Sequence, residues 1–115
     1  MASAQKEQGH TAIIAQVPAT NAAQIKDLAF QLKNEVNELF CVLVADLEGK
    51  PSLSIMISDS LVKSKDLHAG NLVREWAKHI KGGGGGQAFF AQAGGSDSTG
   101  LNAVLEKAKK FSREL

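Results

Sequence analysis

A single cysteine in 115 residues, Cys41, leaves no partner for an intrachain disulfide and no thiolate set for a metal cluster. It stands inside the apolar run Phe40-Cys41-Val42-Leu43-Val44-Ala45 and reads as a small buried hydrophobe. No apolar run approaches the roughly 18–20 residues that a membrane-spanning helix needs. The N-terminus, Met1 to His10, is polar, carries Lys6 and Glu7, and lacks the apolar centre of a signal peptide. A cytoplasmic protein with no membrane partner is therefore expected. Histidines are few and scattered: His68 and His79 lie eleven positions apart, whereas a helical zinc pair needs i and i+4. There is no Gly-x-Ser-x-Gly elbow, and the carboxylates are spread over helix faces. With no nucleophile, acid–base pair or metal set in view, the chain is expected to be non-catalytic and to hold no cofactor of its own.

What remains is enough for one domain with one core. The composition, 43% hydrophobic and 22% charged, is ordinary for a globular protein. The net charge of +1 conceals a division. Residues 1–60 hold four Lys and Arg against seven Asp and Glu, and residues 61–115 hold nine against five. Such a split can mark a nucleic-acid face, although helix C-termini favour Lys and Arg in any case.

Residues 1–10 read as a frayed start or the remnant of a preceding helix, and residues 11–115 as a single globular domain. Thr11 to Val17 is a first strand, closed by Pro18. Asn21 is a candidate N-cap for a long amphipathic helix over about residues 22–39, with Ile25, Leu28, Ala29, Leu32, Val36 and Leu39 on one face. The run Phe40 to Ala45 is apolar on both faces and predicts a central strand. Leu53, Ile55 and Ile57 alternate with Ser52, Ser54 and Met56 as in a half-buried hairpin partner. A polar connection over Ser58–Asp66 leads to a second helix carrying Ala69, Leu72, Val73, Trp76, Ala77 and Ile80, with Asp66 as candidate cap and Gly70 as a mark of close packing. Trp76 is expected in the core. A strand over Ala88–Ala93, a turn from Gly94 to Ser98 and a last helix through Leu101, Val104, Leu105, Ala108 and Phe111 complete the chain. The fold class is α/β: a mixed four-stranded sheet in β-α-β-β-α-β-α order with three packed helices, the first β-α-β a parallel crossover.

The distinctive stretch is Gly82-Gly83-Gly84-Gly85-Gly86-Gln87. Five glycines lose the most backbone entropy on ordering, so such a run beside a strand suggests that bare backbone is useful. It reads as a ligand-facing loop with few core contacts, the competing reading being a flexible linker. A phosphate-binding P-loop is excluded, because the run follows a helix and precedes a strand, with no Gly-Lys-Ser or Gly-Lys-Thr. Gly94-Gly95-Ser96-Asp97 has the order of an anion site at a helix N-terminus, but Asp97 would repel a phosphate, which favours a plain turn and cap. Lys63, Lys65, Arg74, Lys78 and Lys81 stand near the run to meet phosphates. The acidic half has no comparable cluster, since Lys26 and Lys33 are interleaved with Asp27 and Glu35. Phe89 and Phe90, as neighbours in a strand, are expected on opposite faces and in the core.

The string from Gly82 through Gln87, Ala88, Phe89, Phe90, Ala91, Gln92, Ala93, Gly94 and Gly95, followed by an amphipathic helix, resembles the C-terminal, DHHA1-type domain of alanyl-tRNA synthetase. The same module accompanies DHH-family phosphoesterases, which usually place a histidine after a short glycine run. Gln87 and Ala91-Gln92-Ala93-Gly94-Gly95 look like the synthetase version, with Phe89 where the synthetases often have a polar residue. The resemblance implies a non-catalytic, tRNA-binding fragment of an alanine–tRNA ligase that meets the elbow of tRNA(Ala) and aids aminoacylation and editing. It implies the remaining synthetase domains as partners and homodimerisation through a preceding helical part; ATP, Mg and Zn would belong to the parent enzyme. The implied contact surface is Gly82, Gly83, Gly84, Gly85, Gly86, Gln87, Gln92, Gly94 and Gly95 with the basic side of the second helix. The alternative is the substrate-binding module of a phosphoesterase.

Overall fold

The computed structural model describes residues 4–7, 10–17, 22–35, 38–47, 50–64 and 66–113. In chain order these form β1 (Ala4–Glu7), β2 (His10–Gln16), α1 (Ala22–Glu35), β3 (Leu39–Leu47), β4 (Lys50–Ile57), α2 (Asp59–Ser64), α3 (Ala69–Trp76), β5 (Gly83–Gly86), β6 (Phe90–Gly94) and α4 (Leu101–Arg113). Two 3₁₀ turns, Ala77–Ile80 and Ser98–Gly100, follow α3 and precede α4. One mixed sheet runs β1-β2-β3-β4-β6-β5. Asn21, Pro18, Val36 and Lys65 lie outside the described residues.

β3 occupies the centre because Leu39 through Ala45 are fully buried on both faces. It pairs parallel with β2 across the α1 crossover and antiparallel with β4. On one face, Ile13, Leu39, Cys41, Leu43 and Met56 pack under Ile25, Ala29 and Leu32 of α1. On the other, Phe40, Val42, Val44, Leu53, Ile55 and Ile57 pack under α3 and α4. Trp76 is 4% exposed and meets Phe111 edge-on at 5.7 Å, as the helical spacing predicted for a core residue. Gly70 does mark close packing: a Cβ there would stand 2.8 Å from the carbonyl oxygen of Gly86, so α3 lies directly against β5.

The mixed α/β class holds, but the sheet has six strands rather than four and the helices number four rather than three among the described residues. One extra strand is Ala4–Glu7, read from sequence as a frayed start or helix remnant; it pairs antiparallel with β2. The other is the glycine run itself, which has no side-chain pattern by which a strand is recognised. The polar connection after β4 contains α2. His68, not Asp66, caps α3: its Nδ1 accepts from the amide of Asn71 at 3.2 Å. The serine face of β4 is not solvated as expected. Ser52 and Ser54 are 4% and 1% exposed. Ser54 Oγ accepts a hydrogen bond from Gln92 Nε2 at 3.1 Å, which satisfies a buried hydroxyl.

Candidate nucleic-acid interface

The five glycines are not a loop. Gly83–Gly86 forms the edge strand β5, with Gly83 opposite Gly94, Gly84 opposite Ala93, Gly85 opposite Gln92 and Gly86 opposite Ala91. The hairpin to β6 is closed by the amide of Gln87 donating to the carbonyl of Phe90 at 2.9 Å. Position by position, the run serves two purposes. A Cβ on Gly82 would stand 2.1 Å from the Gly94 oxygen, on Gly84 2.4 Å from the Gln92 oxygen, and on Gly86 2.6 Å from the Phe90 oxygen. No real side chain fits there, so these three let β5 lie close on β6. A Cβ on Gly83 would meet nothing within 4 Å, and one on Gly85 only the Arg74 guanidinium, at 3.9 Å. These two have room where a Cβ would stand, Gly83 exposed and Gly85 half-buried.

Two concavities share Gln92, the β6 residue opposite Gly85. The first, about 570 Å³, lies between the end of the β3–β4 hairpin and β5, and is bordered by Lys50, Ser52, Lys81, Gly83, Gly94 and Gly95 among others. The second, about 470 Å³, lies between β5–β6 and α1, bordered by Lys26, Phe30, Gly85, Gln87, Phe89 and Phe90. Among the described residues that border them, the charged side chains are Lys26, Lys50 and Lys81. Lys81 is held there by an uncommon backbone. It ends the 3₁₀ turn in the left-handed conformation, φ 52°, with its amide donating to the carbonyls of Ala77 and Lys78. A non-glycine residue in that region carries roughly 1–3 kcal/mol of strain.

The residues expected at the site are partly brought together. Gly83, Gly94, Gly95, Lys81 and Gln92 border the first concavity. Gly85, Gly86, Gln87 and Gln92 border the second, with Arg74 beside Gly85. Gly82 and Gly84 are packing positions. Lys78 shares a separate groove on α3 with Asn71, Arg74 and Glu75, whose carboxylate offsets the charge. Lys63 is exposed on α2 and borders neither concavity. Lys26 and Lys33, set apart in sequence as belonging to the acidic half, are close to the site: Lys26 borders the second concavity, and Lys33 Nζ stands 4.6 Å from the centroid of Phe89. Lys50 and Phe30 carry no signal in the sequence that would place them here. They reach the site only through the hairpin register and the crossover of α1, neither of which leaves a local motif. Phe89 and Phe90 do not take opposite faces. Phe89 sits in the bend before β6, where strand alternation does not hold, and both rings pack half-buried against the α1 core.

The turn after β6 is a turn and cap, not an anion site. The amide of Gly95 donates to Pro51, and those of Ser96 and Asp97 both donate to the Ile80 carbonyl, at 2.9 and 3.0 Å. Asp97 accepts from the Thr99 hydroxyl and, at 3.1 Å, from the Thr99 amide. These bonds, with Lys81 nearby, hold its carboxyl below the usual aspartate range. The N-terminus of α3 is likewise occupied: the amides of Ala69 and Gly70 donate to Ala88 and Gln87. Cys41 is fully buried, and desolvation pushes its thiol up to about 12. Among the described residues no three His, Cys, Asp or Glu side chains gather to hold a metal, and no helix is long and apolar enough to cross a membrane.

The DHHA1 domain family profile matches residues 9–114. An alanine–tRNA ligase of Christiangramia forsetii is 57% identical over 91 residues, covering 79% of this chain and 10% of that protein. One from Bacteroides thetaiotaomicron is 52% identical over 87 residues, covering 75% and 10%. The chain thus spans about a tenth of the length of these relatives. Among solved structures, the C-Ala domain from Aquifex aeolicus alanyl-tRNA synthetase superposes with a TM-score of 0.83 at 22% identity, covering 96% of this chain and 98% of that one.

Proposed function

The chain belongs to the DHHA1 domain family, and from that premise we propose that it is the C-terminal tRNA-binding domain of an alanine–tRNA ligase rather than the substrate module of a phosphoesterase. The identity to alanine–tRNA ligases over three quarters of the chain favours this origin. The observation that carries the binding role is the shelf whose described charged residues are all cationic, Lys26, Lys50 and Lys81, beside the exposed backbone of Gly83 and the half-buried backbone of Gly85. Three ammonium groups meet phosphates. Gly83, with open space where a Cβ would stand, and Gly85, with only the end of Arg74 there, admit a sugar–phosphate backbone to contact distance. Gln87, exposed at the end of the strand, offers its amide at the same level. The domain reads the folded shape of tRNA(Ala) at its elbow and supports aminoacylation and editing carried out by other domains of the parent, where ATP and the metals act. Those domains are its partners within the enzyme, in the cytoplasm.

The test is a salt titration of binding to a tRNA(Ala) transcript and to an unstructured RNA of equal length. Lys50→Ala with Lys81→Ala should flatten the slope of log affinity against log salt by roughly 0.7–0.9 for each phosphate that is no longer neutralised. Lys63→Ala with Lys107→Ala, away from the shelf, should leave it nearly unchanged. Equal effects in the two pairs, or no preference for the folded RNA, would sink the proposal.

A further inference from the structure

The second concavity has a property that phosphate binding does not explain. The chain has five phenylalanines and one tryptophan, and three of these six rings, Phe30, Phe89 and Phe90, stand half-buried at its border. Phe40 and Phe111 pack with each other and Phe111 with Trp76, away from this site. Phe30 and Phe90 lie tilted at 50° with centroids 5.3 Å apart. Lys33 Nζ lies 4.6 Å from the Phe89 ring centre, and Lys26 Nζ 6.0 Å from that of Phe30. Leaving aromatic surface open forgoes the stabilisation its burial would give. Lys33 is paired with Asp59 at 3.9 Å, so Lys26 is the charged residue among the described lining, and an apolar peptide or acyl chain would gain nothing from its ammonium group. A nucleobase uses every part of the arrangement. Its flat face would stack on a ring, its edge would meet the exposed Gln87 amide, and the phosphate of its nucleotide would be met by Lys26.

We propose that this concavity holds one unstacked nucleobase of the bound RNA, seated on the Phe30–Phe89–Phe90 cluster. The proposal rests on the RNA-binding reading above and adds to it a specific base contact. It makes binding depend on at least one unpaired loop nucleotide as well as on folded shape.

The experiment uses the 115-residue chain and a tRNA(Ala) transcript. Each unpaired loop nucleotide is replaced, one at a time, by an abasic residue. One or two positions should weaken binding about tenfold, the size expected for removal of one stacked base, without altering the salt slope. 2-Aminopurine at such a position should lose emission on binding. Phe89→Leu, which keeps apolar volume but not the π face, should weaken binding to a similar degree and restore the emission, and Phe89→Tyr should recover both. Binding that is tight yet indifferent to every abasic substitution and to Phe89→Leu overturns this inference and leaves the shelf reading standing. Absence of any tRNA binding by the wild type overturns both.

Discussion

Alanine at Gly84 and alanine at Gly85 should have opposite effects on stability. At Gly84 the added methyl would stand 2.4 Å from the Gln92 oxygen, 2.6 Å from Ala93 Cα and 2.7 Å from Ala93 Cβ. Two of these are backbone atoms of a paired strand and cannot swing aside, so β5 must lift from β6. Overpacking of this kind costs about 1–3 kcal/mol. At Gly85 the nearest atoms are the Arg74 guanidinium nitrogens at 3.9 Å, ordinary contact with the mobile end of a long side chain. Gly→Ala at a compatible position stabilises by about 0.4–1 kcal/mol through the unfolded chain. A domain of this size shifts by about 4 °C per kcal/mol, which separates the two variants by roughly 6–16 °C in melting temperature. Calorimetry or thermal circular dichroism on both proteins reads this directly. Gly83→Ala, with nothing in reach, should behave like Gly85→Ala, while Gly82→Ala and Gly86→Ala should behave like Gly84→Ala. RNA affinity should fall for Gly83→Ala despite its sound folding, because its methyl would stand in open space on an exposed backbone. Equal melting temperatures for Gly84→Ala and Gly85→Ala would refute the register and return the run to an unpaired loop.

Three further outcomes follow from the same geometry. Lys81→Gly removes a charge and a left-handed non-glycine backbone together, so it should raise stability by about 1 kcal/mol while weakening tRNA binding; a fall in both, read by denaturation and binding assays, would contradict the assignment. Asp97 titrates below its ordinary value of 3.8 in the folded chain, so its contribution is complete above that value and disappears as pH falls through the lower folded one. Asp97→Asn should therefore flatten the acid limb of stability against pH, and an unchanged limb would refute the capping role. The Cys41 thiol, raised from 9.0 to about 12, favours the folded state fully below 9.0 and progressively less as pH climbs toward 12; labelling by a disulfide reagent at pH 8 should be slow in the native protein and complete in guanidinium, and rapid native labelling would contradict its burial.

Much of the fold is visible in the side-chain periods. The helical spacing of Val73, Trp76, Ala77 and Ile80 and the continuous apolar run of β3 both find their expected places. The glycine run stands out in the sequence, yet its strand does not, because strand recognition depends on alternating side chains and glycine has none. The cations of the site were half legible. Arg74 and Lys81 lie close to the run along the chain. Lys26 and Lys50 arrive from a crossover helix and a hairpin end, so the division of charge between the two halves of the sequence has no counterpart in space. Phe89 misled for a local reason: period two applies within a strand, and the residue lies in the bend just before one.

The placing of β6 between β4 and β5 sets a condition on synthesis. β4 finds its partner on one side at once in β3, with Leu47 opposite Lys50. Its other edge, through Ser52, Ile55 and Met56, is met only by Gly94, Ala91 and Phe90. A ribosome adding about 5–20 residues per second takes roughly 2–7 s to pass from Ile57 to Gly94. Throughout that interval the nascent chain carries an open strand edge in an apolar sheet, the kind of surface on which neighbouring chains pair. In a cell crowded with polysomes, the last quarter of this domain thus acts as the closing seam for the three that precede it. A chain stalled before Phe90 would be a substrate for chaperones or for its own copies.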